Sequence, residues 1–210
     1  MTDWATIASL STAGGTLVLA VATFASVRSA NRAARVAERS LQLNLRPVLM
    51  PSREDDPAEK VLFADGRTLV VRGGMAAVEE ADGQIYLALA LRNVGPGLAV
   101  LHGWYLWPER QLSNVQHADP GGFRRLQRDL YIAAGDTGYW QGALREPEDR
   151  LRLAIGDALR ASRPLSVEIL YGDHEGGQHT ISRFGLTPRE GSEWFCSVVR
   201  HWSVDGHDPR

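Results

Sequence analysis

The sequence predicts a mainly β domain that follows one long N-terminal helix, and three patterns support this fold class. Residues Trp4–Val27 carry no charge, and residues 28–45 carry arginines at helical spacing. From residue 46 onward, short apolar runs alternate with Gly, Pro and Asp, which is typical of strands joined by turns. We therefore expect an Ig-like β-sandwich over residues 46–210, preceded by one transmembrane helix and a helical stalk.

The uncharged segment is long enough to cross a bilayer as a helix. It has 24 residues, and a hydrocarbon core of about 30 Å needs about 20 residues at 1.5 Å each. A secretory signal peptide is one alternative, but such a peptide begins with basic residues, whereas this chain begins Met1-Thr2-Asp3. A buried helix of a soluble protein is the other alternative. We expect an uncleaved anchor over residues 1–27.

The charges beside this segment predict its orientation. Residues 28–46 have five arginines against Glu38, a net charge of +4, while the other flank has Asp3. Because positively charged flanks stay in the cytoplasm, we expect a single-pass protein of the cell inner (plasma) membrane, with the N-terminus outside and the C-terminal domain cytoplasmic. The single cysteine, Cys196, fits a reducing compartment.

The stalk at 28–45 combines a basic stripe with a small-residue stripe. The basic stripe has spacings of four, three and four, and its members are Arg28, Arg32, Arg35 and Arg39. Anionic lipid headgroups are the expected partner of this stripe, and a simple stop-transfer flank is the alternative. The second stripe permits a homo-oligomer through residues 27–41 without requiring one, and its members are Val27, Ala30, Ala34, Ala37 and Leu41. Pro47 is expected to end the helix.

Nine apolar runs predict the strands of the domain. They are Pro47–Met50, Val61–Phe63, Thr68–Val71, Ile85–Leu91, Leu98–Leu101, Leu130–Ala133, Leu165–Tyr171, His179–Phe184 and Trp194–Trp202. The run Ile85–Leu91 is apolar throughout and predicts a central strand covered on both faces. In Leu165–Tyr171 the apolar side chains alternate with the polar Ser166 and Glu168, which predicts a strand with one solvent-exposed face. Helical spacing predicts one helix at Leu151–Leu159.

Composition excludes several classes of protein. One cysteine forms neither a disulfide framework nor a four-cysteine zinc site, and a net charge of -2 gives no general attraction to nucleic acid. No Gly-x-Ser-x-Gly elbow occurs, and Asn93-Val94-Gly95-Pro96-Gly97 lacks the lysine of a phosphate loop and the helix of a dinucleotide fingerprint. We expect no cofactor, and we interpret residues 93–97 as a tight turn in which glycine supplies positive φ.

The segment Tyr171–Phe184 predicts a hairpin. If Gly176-Gly177 form a two-residue turn, His174 faces His179 across the strands. Two such imidazoles are candidate ligands for Zn²⁺, with Glu175, His201 or His102 as a third ligand. The alternative is that both histidines are ordinary solvated residues at a polar hairpin tip.

The segment Phe123–Arg145 predicts the main interaction surface. Its arginines and aromatic residues suit the recognition of carboxylates, phosphates or a partner surface. The proposed contact residues are Arg124, Arg125, Arg128, Tyr139 and Trp140. A charged strand edge that discourages aggregation is the alternative interpretation.

Four features together resemble a family of uncharacterised single-span bacterial proteins common in actinobacteria. They are the N-terminal span, the arginine-rich stalk ending in Arg46-Pro47, the Asn93-Val94-Gly95 turn, and Tyr171-Gly172-Asp173 with Gly176-Gly177 in a late hairpin. The similarity covers nearly the whole chain. It implies a membrane-tethered sandwich domain and no catalytic residues.

The expected function is therefore a non-enzymatic binding or scaffolding module that faces the cytoplasm from the membrane. Its expected partners are the lipid bilayer and another membrane-associated protein, and not nucleic acid. The alternative is a metal-dependent hydrolase or metal-binding sensor that uses the 173–179 hairpin. A third alternative, a secreted sandwich that recognises ligands through exposed tryptophans, requires cleavage near residue 25.

Overall fold

The chain forms two compact units, Met1–Leu43 and Asn44–Arg210. The computed structural model describes residues 4–189 and 193–205, and it leaves the side chains of residues 4–11, 39 and 42–44 undescribed.

One continuous helix, α1 at Trp4–Leu45, forms the described part of the first unit, and its last two residues already belong to the second unit. It ends directly before Arg46-Pro47, as the position of the proline predicts. Over Thr12–Glu38 it is long and apolar enough to cross a membrane. Thr16 and Thr23 donate their hydroxyls to backbone carbonyls four residues earlier, at 2.8 Å each, so these polar groups are satisfied within the helix. None of the described side chains at 12–38 is buried, which does not fit the core helix of a soluble protein.

The described residues of the second unit form eleven strands, one α-helix and a short 3-10 helix at Pro120–Gly122. The strands are β1 Leu49–Pro51, β2 Glu59–Leu62, β3 Thr68–Val71, β4 Met75–Ala81, β5 Gln84–Asn93, β6 Ala99–Trp107, β7 Arg124–Ile132, β8 Thr137–Leu144, β9 Leu165–Gly172, β10 His179–Pro188 and β11 Glu193–Ser203. The helix is α2 at Arg150–Arg160. The mainly β class is confirmed.

Nine of these strands form a single curled antiparallel sheet, so the predicted Ig-like pair of packed sheets is not confirmed. Neighbours along the sheet run β1-β5-β4-β11-β10-β9-β6-β7, and β8 pairs with the other edge of β5. The strands β2 and β3 form a separate two-stranded sheet. The run pattern alone cannot distinguish one long curled sheet from two stacked sheets, because both bury alternate side chains.

Strand β5 is covered on both faces, as its uninterrupted apolar sequence predicts. Leu87 and Leu89 belong to the main core, and Tyr86 and Ala88 belong to a second core under the β2–β3 hairpin. The hairpin contributes Val61 and the other apolar side chains of its inner face to this second core. Continuous apolar sequence in β5 therefore reflects two separate hydrophobic clusters.

The predicted helix at Leu151–Leu159 is confirmed as α2. The side chain of Asp149 caps its first turn by accepting a hydrogen bond from the N–H of Leu151 at 2.9 Å. Ile155 and Ala158 are fully buried in the main core. One face of α2 thus closes the sheet interior next to β5.

The prediction that one face of β9 is exposed to solvent is wrong. Ser166 and Glu168 are both fully buried, because the long connection between β6 and β7 lies across this face of the sheet. Ser166 accepts a hydrogen bond from the N–H of Gln111 at 2.9 Å, and Glu168 accepts one from the N–H of Ala118 at 2.9 Å. The alternating sequence correctly indicates a strand but not what covers its polar side.

The turn at residues 93–97 is structural, but not for the expected reason. Gly95 and Gly97 have no positive φ; instead, a Cβ on Gly97 would lie 1.8 Å from the carbonyl oxygen of Leu45. The buried side chain of Asn93 accepts hydrogen bonds from the N–H groups of Val48 and Gly95, and donates to the carbonyls of Gly97 and Ile132. Glycine is required here by close backbone approach.

Candidate functional site

The curled sheet does not close, and its two edge strands face each other across a seam. Among the described strands, β7 pairs only with β6, and β8 pairs only with β5. A Cβ added to Gly138 of β8 would lie 3.0 Å from the side chain of Ile132 in β7, so the strands touch at that end of the seam. No strand ladder joins them along the seam.

A bulge in β7 shapes the middle of this seam. The register with β6 passes from Leu101–Leu130 directly to Gly103–Arg125. Residues 126–129 of β7 therefore lie opposite His102 alone and have no regular ladder partners in β6. A bulge of this kind redirects side chains, and here it carries Arg128 toward β8.

A cleft of about 240 Å³ lies in the seam, and we call it the seam cleft. Its walls come from β7 and β8, and Trp104 and Phe63 add aromatic surface. Three arginines line it, and its lining includes no Asp or Glu. The lining residues are Phe63, Trp104, Arg124, Arg125, Leu126, Gln127, Arg128, Leu130, Gln141, Gly142 and Ala143.

Arg128 bridges the seam through neutral acceptors. Its guanidinium donates to the hydroxyl of Tyr139 at 2.6 Å and to the amide oxygen of Gln141 at 3.2 Å, both on β8. It also donates to the carbonyl of Leu62 at 3.3 Å and lies 5.8 Å from the centre of the Tyr139 ring. The charge of Arg128 is held in place without an acidic partner among the described residues.

Arg124 is held by a different set of contacts. Its guanidinium lies 2.6 Å from a carboxylate oxygen of Asp149, the cap of α2, and 5.6 Å from the centre of the Trp104 ring. Burial raises the pKa of Asp149, but the hydrogen bonds from Arg124 and the N–H of Leu151 outweigh it, so the pKa lies below its ordinary value. One of the three cleft arginines therefore has its charge compensated.

Arg125 lies between the seam cleft and a second surface cavity. It is exposed, and it makes no hydrogen bond or ion pair with any described residue. The second cavity, of about 650 Å³, is also lined by His102 and Asp129. Arg125 is therefore available to an incoming anionic group.

The structure separates the two aromatic residues predicted for this surface. Tyr139 is partly exposed and bonded to Arg128, whereas Trp140 is fully buried and packs edge-on against Trp104 at 5.5 Å. The prediction of Trp140 as a contact residue is wrong. Residues 137–144 form strand β8, so neighbouring side chains point to opposite faces.

The predicted pairing of the hairpin histidines is also wrong. His179 pairs with Gly172, which leaves residues 173–178 as a longer turn and places His174 within it rather than opposite His179. His174 lies 3.6 Å from Glu175 and is about half exposed. Groups of three or more His, Cys, Asp or Glu side chains suited to a metal do not occur in the described part of the chain.

His179 instead contacts His102 and Asp205. Its ring centre lies 5.5 Å from that of His102, and its Nδ1 lies 2.9 Å from a carboxylate oxygen of Asp205. Burial and the nearby His179 lower the pKa of His102. Metal binding by His174 and His179 stays a prediction that this geometry does not favour.

A buried ion pair joins Glu168 and Arg183, and no sequence pattern predicts it. Both side chains are completely enclosed, and Arg183 Nε donates to Glu168 at 2.8 Å. The remaining N–H groups of Arg183 donate to Glu168 and to the carbonyls of Leu112, Val115 and Gln116. All five donors of the guanidinium therefore have acceptors, and the pair fastens the 108–119 connection to the sheet. Its role is structural.

Two other polar groups are enclosed in the core. Ser182 lies within hydrogen-bond distance of Tyr171, at 2.8 Å, and of His201, at 2.6 Å, but it is fully buried. The thiol of Cys196 is buried, and burial raises its pKa. Neither side chain has the exposure that a nucleophile needs.

The basic stripe lies on a continuous helix, since α1 extends to Leu45. Arg28, Arg32 and Arg35 are exposed, and the side chain of Arg39 is outside the described residues.

Protein-family models, curated proteins and solved structures provide no match to the chain. The resemblance to actinobacterial single-span proteins therefore stays a prediction.

Proposed function

We propose that the protein is a membrane-anchored, non-enzymatic binding module that holds its β domain at the cytoplasmic face of the membrane. In this proposal α1 anchors the chain in lipid, and the seam cleft binds another membrane-associated protein. The observation that carries the binding function is the cleft itself, because it presents three arginines and no acid between two unpaired strand edges.

The anchor is supported by exposed apolar side chains on α1. Leu17, Leu19 and Phe24 are each more than 60% exposed, at 67%, 69% and 68%. A continuous apolar surface of this kind requires lipid or a partner to cover it. The arginines that follow favour the cytoplasmic side for the domain and suit anionic headgroups.

The tether also supports a binding role with a small site. Confinement near a membrane raises the effective concentration of the domain toward other membrane-bound proteins, so the contact needs little area for useful affinity. The stripe Val27–Leu41 also permits pairing with a second copy of the chain, and crosslinking of the full-length protein tests for such a dimer.

Topology is the first test of this proposal. The full-length chain with a C-terminal tag should remain in the membrane fraction without detergent, and the tag should resist protease in intact spheroplasts. Digestion of the tag before lysis contradicts the cytoplasmic orientation. An intact soluble chain contradicts the anchor, and a mature N-terminus near residue 25 indicates a signal peptide instead.

Site-specific photocrosslinking in cells is the test of binding. A photoreactive residue at Gln127, which lines the cleft and is exposed, should give a discrete protein adduct on irradiation. The matched control is the same residue at Arg110, which is exposed in the 108–119 connection and outside the cleft lining. Equal adducts at both positions, or none at Gln127, contradict a specific site in the cleft.

Metal analysis tests the alternative of a metal-dependent hydrolase or sensor. Stoichiometric zinc in the purified full-length protein, lost when His174 and His179 are both replaced by Ala, would favour that alternative. We expect no such zinc, because the observed register separates the two histidines.

A further inference from the structure

We infer that the seam cleft recognises an extended acidic segment of a partner protein, whose carboxylates pair with Arg125 and Arg128. This inference rests on the proposed binding function and specifies the chemistry of the occupant.

Charge complementarity is the first argument. Residues 46–210 contain 19 basic and 23 acidic side chains, so the domain as a whole is acidic. The cleft lining is the reverse, with three arginines and no carboxylate. Asp149 compensates Arg124, whereas Arg125 and Arg128 have no acidic partner among the described residues. The cleft therefore has two uncompensated cations for a negatively charged ligand.

The geometry of Arg128 is the second argument. Three neutral oxygens, from Tyr139, Gln141 and Leu62, hold its guanidinium in position over the seam. A carboxylate that replaces some of these acceptors gains a charge-assisted hydrogen bond, which is about twice as strong as a neutral one. Because the side chain is already ordered, binding costs less conformational entropy.

The shape of the cleft favours an extended peptide. Both walls are sheet edges within the described part of the chain, where β7 pairs only with β6 and β8 only with β5, and such edges offer backbone hydrogen bonds to an added segment. The volume of about 240 Å³ is below the range of about 300–1,000 Å³ that is usual for small-molecule pockets. It suits one or two side chains of a segment that lies along the seam.

Peptide binding to the full-length protein in uncharged detergent micelles tests this inference. The probe is a fluorescent peptide that alternates Glu with Val, and its control replaces every Glu by Gln. We expect fluorescence anisotropy to show binding of the Glu peptide alone. Arg125→Gln and Arg128→Gln should each weaken this binding roughly tenfold, the loss of one charge-assisted contact. Arg110→Gln, an exposed arginine outside the cleft lining, should leave it unchanged.

Asp149→Asn gives a test in the opposite direction. Asparagine caps a helix as well as aspartate does, so α2 keeps its first turn while Arg124 loses its ion pair. The third arginine then becomes available, and the Glu peptide should bind several-fold more tightly. Misfolding would raise binding of the Glu and Gln peptides alike, so a gain for the Glu peptide alone keeps the test decisive if the arginine variants are unstable, and unchanged binding of the Glu peptide would contradict the inference.

Three results would overturn the inference. The first is equal binding of the Gln peptide, and the second is an equal loss of binding in Arg110→Gln. The third is a Tm increase on adding phosphatidylglycerol to the micelles that depends on Arg125 and Arg128, without peptide binding, since this assigns the cleft to lipid headgroups. A crosslink at Gln127 without peptide binding would leave the binding function in place and reject only the acidic segment.

Discussion

The carboxylate of Glu168 accepts a hydrogen bond from Arg183 Nε at 2.8 Å, and both side chains are fully buried. The pair joins neighbouring strands β9 and β10 and holds the connection between β6 and β7 against them. Removing one member leaves an uncompensated charge in the interior, whereas replacing both by apolar residues does not.

Arg183→Met should lower the free energy of unfolding by about 3–5 kcal/mol, because Glu168 is left buried without its counter-ion. It should also make the chain sensitive to trypsin at Arg110, since three carbonyls of the connection lose their donors. Chemical denaturation and limited proteolysis in micelles measure the two effects. The double replacement Glu168→Leu with Arg183→Met should be less destabilised than Arg183→Met alone, and the opposite order would contradict the ion-pair explanation.

Asp149→Asn should lower stability by about 0.5–1 kcal/mol near neutral pH, because it removes the ion pair with partly exposed Arg124 but keeps the cap. The folded chain holds the pKa of Asp149 below its ordinary value of 3.8. The advantage of the wild type is therefore full above that value and is lost as pH falls through the depressed pKa. Urea unfolding of both proteins across this range measures it, and a pH-independent difference would argue against the ion pair.

Cys196 should not react with thiol reagents in the folded protein. Its side chain is buried at 3% exposure, and burial raises the pKa of the thiol. The matched control is Phe195→Cys with Cys196→Ala, which places a thiol at a neighbouring position of β11 that is 44% exposed. Alkylation followed by mass spectrometry should label the control rapidly and the wild type only after denaturation; rapid native labelling of Cys196 would contradict the buried position.

How far the sequence predicts the fold is clearest in β5 and β9. The uninterrupted apolar run of β5 correctly predicts burial on both faces, because Ile85–Leu91 carries no charged side chain. In β9 the alternating pattern predicts the strand but not its environment, since the partner that covers Glu168 is an arginine 15 residues away on another strand. Burial of paired charges depends on contacts that periodicity does not encode.

In the candidate site, too, the sequence pattern predicts some features while others depend on tertiary contacts. The clustered arginines single out the segment Phe123–Arg145, and three of them line the seam cleft. The assignment of Trp140 fails because residues 137–144 carry small and polar residues that suit a loop as well as a strand. The cleft itself depends on which strands remain unpaired, and strand order is a property of the whole chain.

Gly97→Ala should destabilise the domain by about 1–3 kcal/mol, because the added methyl group would lie 1.8 Å from the carbonyl oxygen of Leu45 and the backbone must move. The matched control is Gly122→Ala, where the nearest atom of the Tyr105 ring lies at an ordinary 3.8 Å. Thermal unfolding of the two variants should give a lowered Tm for Gly97→Ala alone. Equal values would show that the chain relaxes around position 97.

The four hydrogen bonds of Asn93 bear on how the domain withstands tension. Any pull transmitted along the chain past Arg46 reaches Val48 and the three-residue strand β1 before it reaches the rest of the sheet. The side chain of Asn93 accepts a hydrogen bond from the N–H of Val48 at 3.1 Å and donates one to the carbonyl of Ile132 at the end of β7. A mechanical load at Val48 is thereby distributed to β5, which carries Asn93, and to β7. This distribution protects the short strand β1 from detaching first.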